Sequence, residues 1–165
     1  MLGGGIWAAR RFASVAFGII SLVMSGTFIL LNVGISMLAW EAPRMDAPYA
    51  NPDRVFAAPE PLRFWRRDVV WRERGMIAFG RYDPLFRLGG LAAFDVPLPD
   101  NMSDPLVRKA VVATPEAVKF LAWSQMPVAK VEQSGCLAKV TFADARFTGP
   151  AMARNFNTVV DLKTC

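Results

Sequence analysis

The 165 residues leave roughly 110 to 120 for a globular part once the strongly apolar first quarter is set apart, which limits the chain to one modest core. An apolar fraction of 53% and a mean hydropathy of +0.28 exceed the norm for a soluble protein, and the excess lies in one segment. Nineteen Lys and Arg against fourteen Asp and Glu give a net charge of +5 that favours anionic partners, while the absence of histidine leaves most hydrolytic mechanisms without their usual general base or metal ligand.

From Phe12 to Trp40 the chain carries 29 consecutive uncharged residues, bounded by Arg10 and Arg11 before and Glu41 after. About 20 apolar residues cross a hydrocarbon core of ~30 Å, so a transmembrane helix is predicted over about 12–40, within an N-terminal segment 1–41. The run is too long for the apolar core of a signal peptide and stays uncharged for too many turns to be an ordinary buried helix. Gly18, Gly26 and Gly34 place small residues on roughly one face, where another transmembrane helix could approach, although glycine is common in membrane helices generally. Arg10 and Arg11 face Arg44 and Arg54 across the span, a near tie that leaves the orientation open, with the later arginines drawing the C-terminal domain toward the cytoplasm.

Five prolines between Glu41 and Pro61 argue against continuous helix and predict an extended tether over 42–61. The extramembrane domain then occupies 62–165. Arg67–Arg74 and Met76–Tyr82 read as strands of a hairpin meeting at Gly75, and Asp83–Asn101 as a long loop that includes Gly89-Gly90. Ser103-Asp104-Pro105 signals a helix start. Apolar spacing through Leu106, Val107, Ala110 and Val111, then Val118, Phe120, Leu121 and Trp123 after Pro115, predicts two short helices that cover the sheet. Val128–Glu132, Leu137–Phe147 and Asn155–Leu162 read as strands, with turns at Gln133-Ser134-Gly135 and around Gly149-Pro150. The expected fold class is α+β: one N-terminal transmembrane helix followed by a small antiparallel β-rich domain with two short helices.

The densest chemical feature interleaves cations and aromatics in Arg63, Trp65, Arg66, Arg67, Trp71, Arg72 and Arg74. Arginine pairs with lipid phosphates and tryptophan favours the interfacial zone, so these residues are candidates for lipid-headgroup or partner contact. On a strand, half of them could equally form one solvated face. Nucleic-acid phosphates offer similar chemistry, but no nucleic-acid fold motif accompanies the patch, which ranks nucleic acid below lipid. Asp144 and Arg146 lie two apart and would pair with charges on neighbouring strands, and Asp68 with Arg67 invites the same reading. Ser124, Ser134 and Thr141 have no histidine to activate them, and catalytic residues stay unassigned. Cys136 and Cys165 could form one bridge, but two cysteines do not fix the redox compartment.

From Ala57 to Leu162 the chain resembles the C-terminal part of the YdjM-like family of bacterial inner-membrane, metal-dependent hydrolases. The residues that carry the resemblance are Arg66-Arg67-Asp68-Val69-Val70 and Gly80-Arg81-Tyr82, then Phe94-Asp95-Val96-Pro97 with Asn101 and Asp104-Pro105. Phe120 to Pro127 and Asp144-Ala145-Arg146-Phe147 complete it. The resemblance implies several membrane helices ahead of the region matched, bearing the histidines that hold a divalent metal. Neither a metal ligand nor a cofactor site can be carried onto this chain, so the resemblance implies a truncated member, single-pass in the bacterial inner membrane and not catalytic alone. Its partners would be membrane lipids, other transmembrane helices or an absent N-terminal membrane portion. The alternative is a single-span protein whose basic aromatic domain binds anionic lipid or a partner membrane subunit.

Overall fold

A computed structural model describes residues 3–45, 51–85, 90–93, 96–147 and 156–165. Helix α1 runs over Gly3–Met45, and 43 residues at about 1.5 Å each make it about 64 Å long. Its stretch Val15–Met45, of mean hydropathy 2.0, is long and apolar enough to cross a membrane. The helix passes the expected end at Trp40 and stops two residues after Pro43, whose missing N–H and ring disfavour further turns. An Arg44–Glu41 pair at 2.9 Å lies on that final turn.

The tether expected over 42–61 is not continuous: residues up to Met45 belong to α1, and Arg54–Glu60 forms strand β1. Proline is tolerated in β1 because the strand lies at the edge of its sheet, where one row of donors has no ladder partner. Strands β2 (Arg63–Glu73), β3 (Met76–Tyr82) and β4 (Leu91–Ala93) follow in the antiparallel order β1-β2-β3-β4, and β5 (Leu98–Pro99) pairs with the start of β3. The predicted hairpin at Gly75 is present, with β2 beginning four residues earlier than expected. Arg74 at φ 50° and Gly75 at φ 75° make the left-handed pair that suits the twist of a tight hairpin. The stretch 83–101 contributes two short strands as well as loop.

Helices α2 (Pro105–Val111) and α3 (Pro115–Trp123) are started by Asp104 and Thr114, whose side chains accept from backbone N–H groups of the first turn. Their buried Val107, Ala110 and Ala117 pack on Val140, Phe142 and Val160 of a second antiparallel sheet, β6 (Pro127–Ser134), β7 (Leu137–Asp144) and β8 (Asn157–Lys163). Strand β7 stops at Asp144, before the expected Phe147, because Ala145–Phe147 turns as a short 3-10 segment. A disulfide joins Cys136, in the β6–β7 turn, to Cys165. The turn expected at Gly149-Pro150, Gly89 and the pair Phe94-Asp95 lie outside the described residues. The architecture is α+β, as expected.

Candidate functional site

Strand β2 alternates its side chains between two neighbours, and this alternation organises the site. Arg67, Val69 and Trp71 face α1, where Val69 and Trp71 pack with Ala78, Tyr82 and Leu91 against Ala39 and Ala42. The residues α1 gives to this contact include Phe28, Asn32, Ile35, Ser36, Ala39 and Ala42, a stripe with spacings of three and four. Small Ser36, Ala39 and Ala42 let the sheet approach closely. Nothing lies within 4 Å of a Cβ built at Gly18, Gly26 or Gly34, so the glycine positions are not where the domain docks.

Arg67 is 1% exposed and has no carboxylate partner among the described residues. Neutral acceptors take its donors instead. Nε donates to the Ser36 hydroxyl at 3.0 Å, Nη2 to the Asn32 carbonyl at 3.1 Å and amide oxygen at 3.0 Å, and Nη1 to the carbonyls of Phe64 and Arg66. A guanidinium has five N–H groups, so five acceptors satisfy it fully. Burial pulls its pKa below the ordinary arginine value, because desolvation disfavours the charged form. Asn32, the one amide in the apolar run, was the sequence signal for this contact: an amide in a membrane-type helix is costly unless bonded.

The remaining candidates divide by face. Trp71 is buried against α1, and Trp65 stands edge-on to Phe64 with ring centres 5.3 Å apart. Arg66 pairs with Asp83, and also lies 3.9 Å from Glu60. Arg72 pairs with Asp100 at 3.0 Å and donates to the carbonyl of Pro127, bridging the two sheets. Arg63 and Arg74 are the exposed pair at the two ends of β2, the first 3.4 Å from Glu60 and the second 3.4 Å from Glu73. The seven residues thus form a spine of internal struts with one exposed cation at each end. Asp68 binds Arg81, directly opposite on β3, at 3.1 Å, and leaves Arg67 to the helix.

Beside this junction an open groove of about 490 Å³ runs along α1, lined by Ile29, Val33, Met37 and Trp40 on the helix, Pro59 on the edge strand, and the Asn32–Ser36–Arg67 cluster. Its walls are apolar with one cation at the floor.

The far side of the molecule holds a second polar cluster. Asp144 accepts from Ser124 Oγ at 2.7 Å, from the backbone N–H of Gln125 at 2.9 Å, and from Arg146 through Nε and Nη2, both at 2.9 Å. Burial would raise this carboxyl, but the hydrogen bonds from Arg146, Ser124 and the Arg146 and Met126 amides outweigh it and hold the pKa at about 2. Arg146 therefore binds a residue two before it, across the 3-10 turn, and not a charge on a neighbouring strand. Its guanidinium also lies 5.0 to 5.2 Å from the rings of Phe56, Phe147 and Trp123. An ionised, fully bonded carboxylate is a poor general base, so the cluster is a clamp joining the end of α3 to the end of β7.

Among the described residues no group of three or more Cys, Asp or Glu is placed to hold a metal ion, and the sequence has no histidine. No family model, curated protein or solved structure matches the chain.

Proposed function

We propose that this chain corresponds to the membrane-anchored C-terminal portion of a metal-dependent hydrolase of the YdjM-like kind in the bacterial inner membrane, and that it is a rigid platform without catalysis of its own. The observation that carries this reading is the convergence of the sequence blocks behind the resemblance. Arg67-Asp68-Val69 stands in register with Tyr82, Arg81 and Gly80, while Trp123 to Met126 meets Asp144 to Phe147 in the carboxylate clamp. Residues that form blocks because they brace a fold would converge in this way.

In this reading Arg67 fixes the domain to α1, and the exposed groove face offers Met37 and Trp40 to the end of a neighbouring membrane helix where it leaves the hydrocarbon core. The Cys136–Cys165 bond supports placing the domain on the oxidising, periplasmic side. The test is a photo-crosslinker at Met37 in the full chain within native membranes. Capture of a histidine-bearing membrane segment is the expected result. Metal-dependent hydrolysis by the purified chain alone would overturn the non-catalytic assignment.

The half-exposed Arg63 favours a second reading, an anchored module that binds anionic lipid through its basic end. That reading requires salt-sensitive retention on anionic vesicles that weakens in Arg63→Gln.

A further inference from the structure

The turn between β1 and β2 carries Leu62, whose side chain is 100% exposed. Its backbone sits at φ 69°, the left-handed region that costs a non-glycine residue, and no burial within the protein repays it. Arg63 beside it is 51% exposed and lies 3.4 Å from Glu60, and Phe64 is 44% exposed. A fully solvated leucine next to a half-exposed phenylalanine and an arginine is a poor water-facing turn. It is a good interfacial one: apolar side chains for the acyl edge and a cation for the phosphates.

The position of the turn along α1 supplies the independent argument. The Phe64 ring lies 5.2 Å from the ring of Phe28, which fixes the turn to one level of the helix. A bilayer entered just after Arg11 has a hydrocarbon core that ends after about 20 residues, close to Asn32. Phe28 then lies within the last helical turn of that core, with Asn32, Ser36 and Arg67 at the polar boundary beyond it. The irregular pairing of β1 with β2 between Pro59 and Glu60 sets this end of the hairpin apart from the regular register and carries Phe64 onto the helix side with Arg67.

We propose that the β1–β2 turn is a second membrane contact, in which Leu62 and Phe64 enter the acyl boundary of the phospholipid bilayer and Arg63 pairs with lipid phosphate. The inference rests on α1 being the membrane span. Two contacts joined by the Arg67 hydrogen bonds hold the domain in a single attitude to the bilayer, where a lone helix would let it swivel.

The experiment uses the full chain with one added cysteine at a time, Phe17→Cys, Leu62→Cys or Val112→Cys, labelled with the environment-sensitive dye NBD under non-reducing conditions that keep Cys136 and Cys165 paired. Each protein is reconstituted in phosphatidylcholine–phosphatidylglycerol vesicles with and without lipids bearing a nitroxide high on the acyl chain. Val112, an exposed valine on α2–α3, controls for apolar exposure away from the turn. The expected result is loss of fluorescence to the nitroxide at positions 17 and 62 and none at 112. Loss at 17 with position 62 behaving like 112 overturns the second contact and leaves the span standing. No loss at any position overturns the span and the contact together. Trp65, packed on Phe64, gives a dye-free readout: brominated lipids should quench part of the native tryptophan emission, and Trp65→Phe should lower the quenched fraction relative to the native chain.

Discussion

Arg67 shows how a buried cation can be held without a carboxylate. Desolvating a guanidinium costs several kcal/mol, and here five neutral acceptors on α1 and β2 offset the cost through hydrogen bonds to a charged group, each worth about 1.5 to 3 kcal/mol. Arg67→Met removes the charge and its desolvation cost but leaves the Asn32 amide and the Phe64 carbonyl without their donor, so a net loss of about 2 kcal/mol is expected in urea unfolding followed in detergent. Arg67→Lys supplies three donors for five acceptors and should recover little of that loss. Asp144 argues the same principle with the opposite charge. Its folded pKa of about 2 lies below the ordinary carboxylate value of 3.8, so the folded state binds its proton less readily than the unfolded chain does. The stability it contributes, about 2 kcal/mol, is present above pH 4 and is lost as pH falls through 4 toward 2. Unfolding midpoints at pH 7 and pH 2.5 should therefore differ more in the native chain than in Asp144→Asn.

At the scale of elements, alternation along β2 gives the strand two loyalties, and each is felt where its neighbours are smallest. Ala39 and Ala42 of α1 lie buried under Trp71 and Val69, with no room for a larger side chain. Ala39→Leu should force the sheet off the helix at a cost of about 1–3 kcal/mol, and faster proteolytic separation of α1 from the domain is the readout that distinguishes this from a general loss of stability. Periodicity announced the central strands and short helices because β7 alternates cleanly, Gly75 and Gly135 mark the turns that bound β3 and β6, and Asp104-Pro105 and Thr114-Pro115 punctuate the helix starts. Strand β1 was hidden by prolines that forbid a central strand but suit an edge, and the end of α1 by Pro43, a residue that ordinarily ends a helix before it. The basic aromatic run was visible as composition; its division between helix-facing and sheet-facing struts was not, because Asp83, Asp100, Asn32 and Ser36 come to β2 from distant parts of the chain. Sequence spacing says which residues share a face and is silent on what arrives to cover it.

For the whole molecule, the two modules answer to different constraints. The α1 unit is held by the helix stripe and Arg67, whereas the second sheet closes on itself through α2, α3 and the Cys136–Cys165 bond. That bond closes a loop with a separation of 29 residues, which in the chain-entropy account stabilises the fold by about 3.5 kcal/mol. Its persistence requires an oxidising compartment, and arginines spread through a folded domain do not oppose its transfer across the membrane, because the charge rule governs short flanking loops. Cells producing the full chain, denatured in acid and treated with a maleimide polymer, should yield an unshifted band unless reductant is added first. A shift of two polymer units without reductant would place both thiols in a reducing compartment and turn the domain to the cytoplasm. An unshifted band would put Arg10 and Arg11 on the reducing side, and the face of α1 that carries Trp40 would open toward the oxidising end of the span.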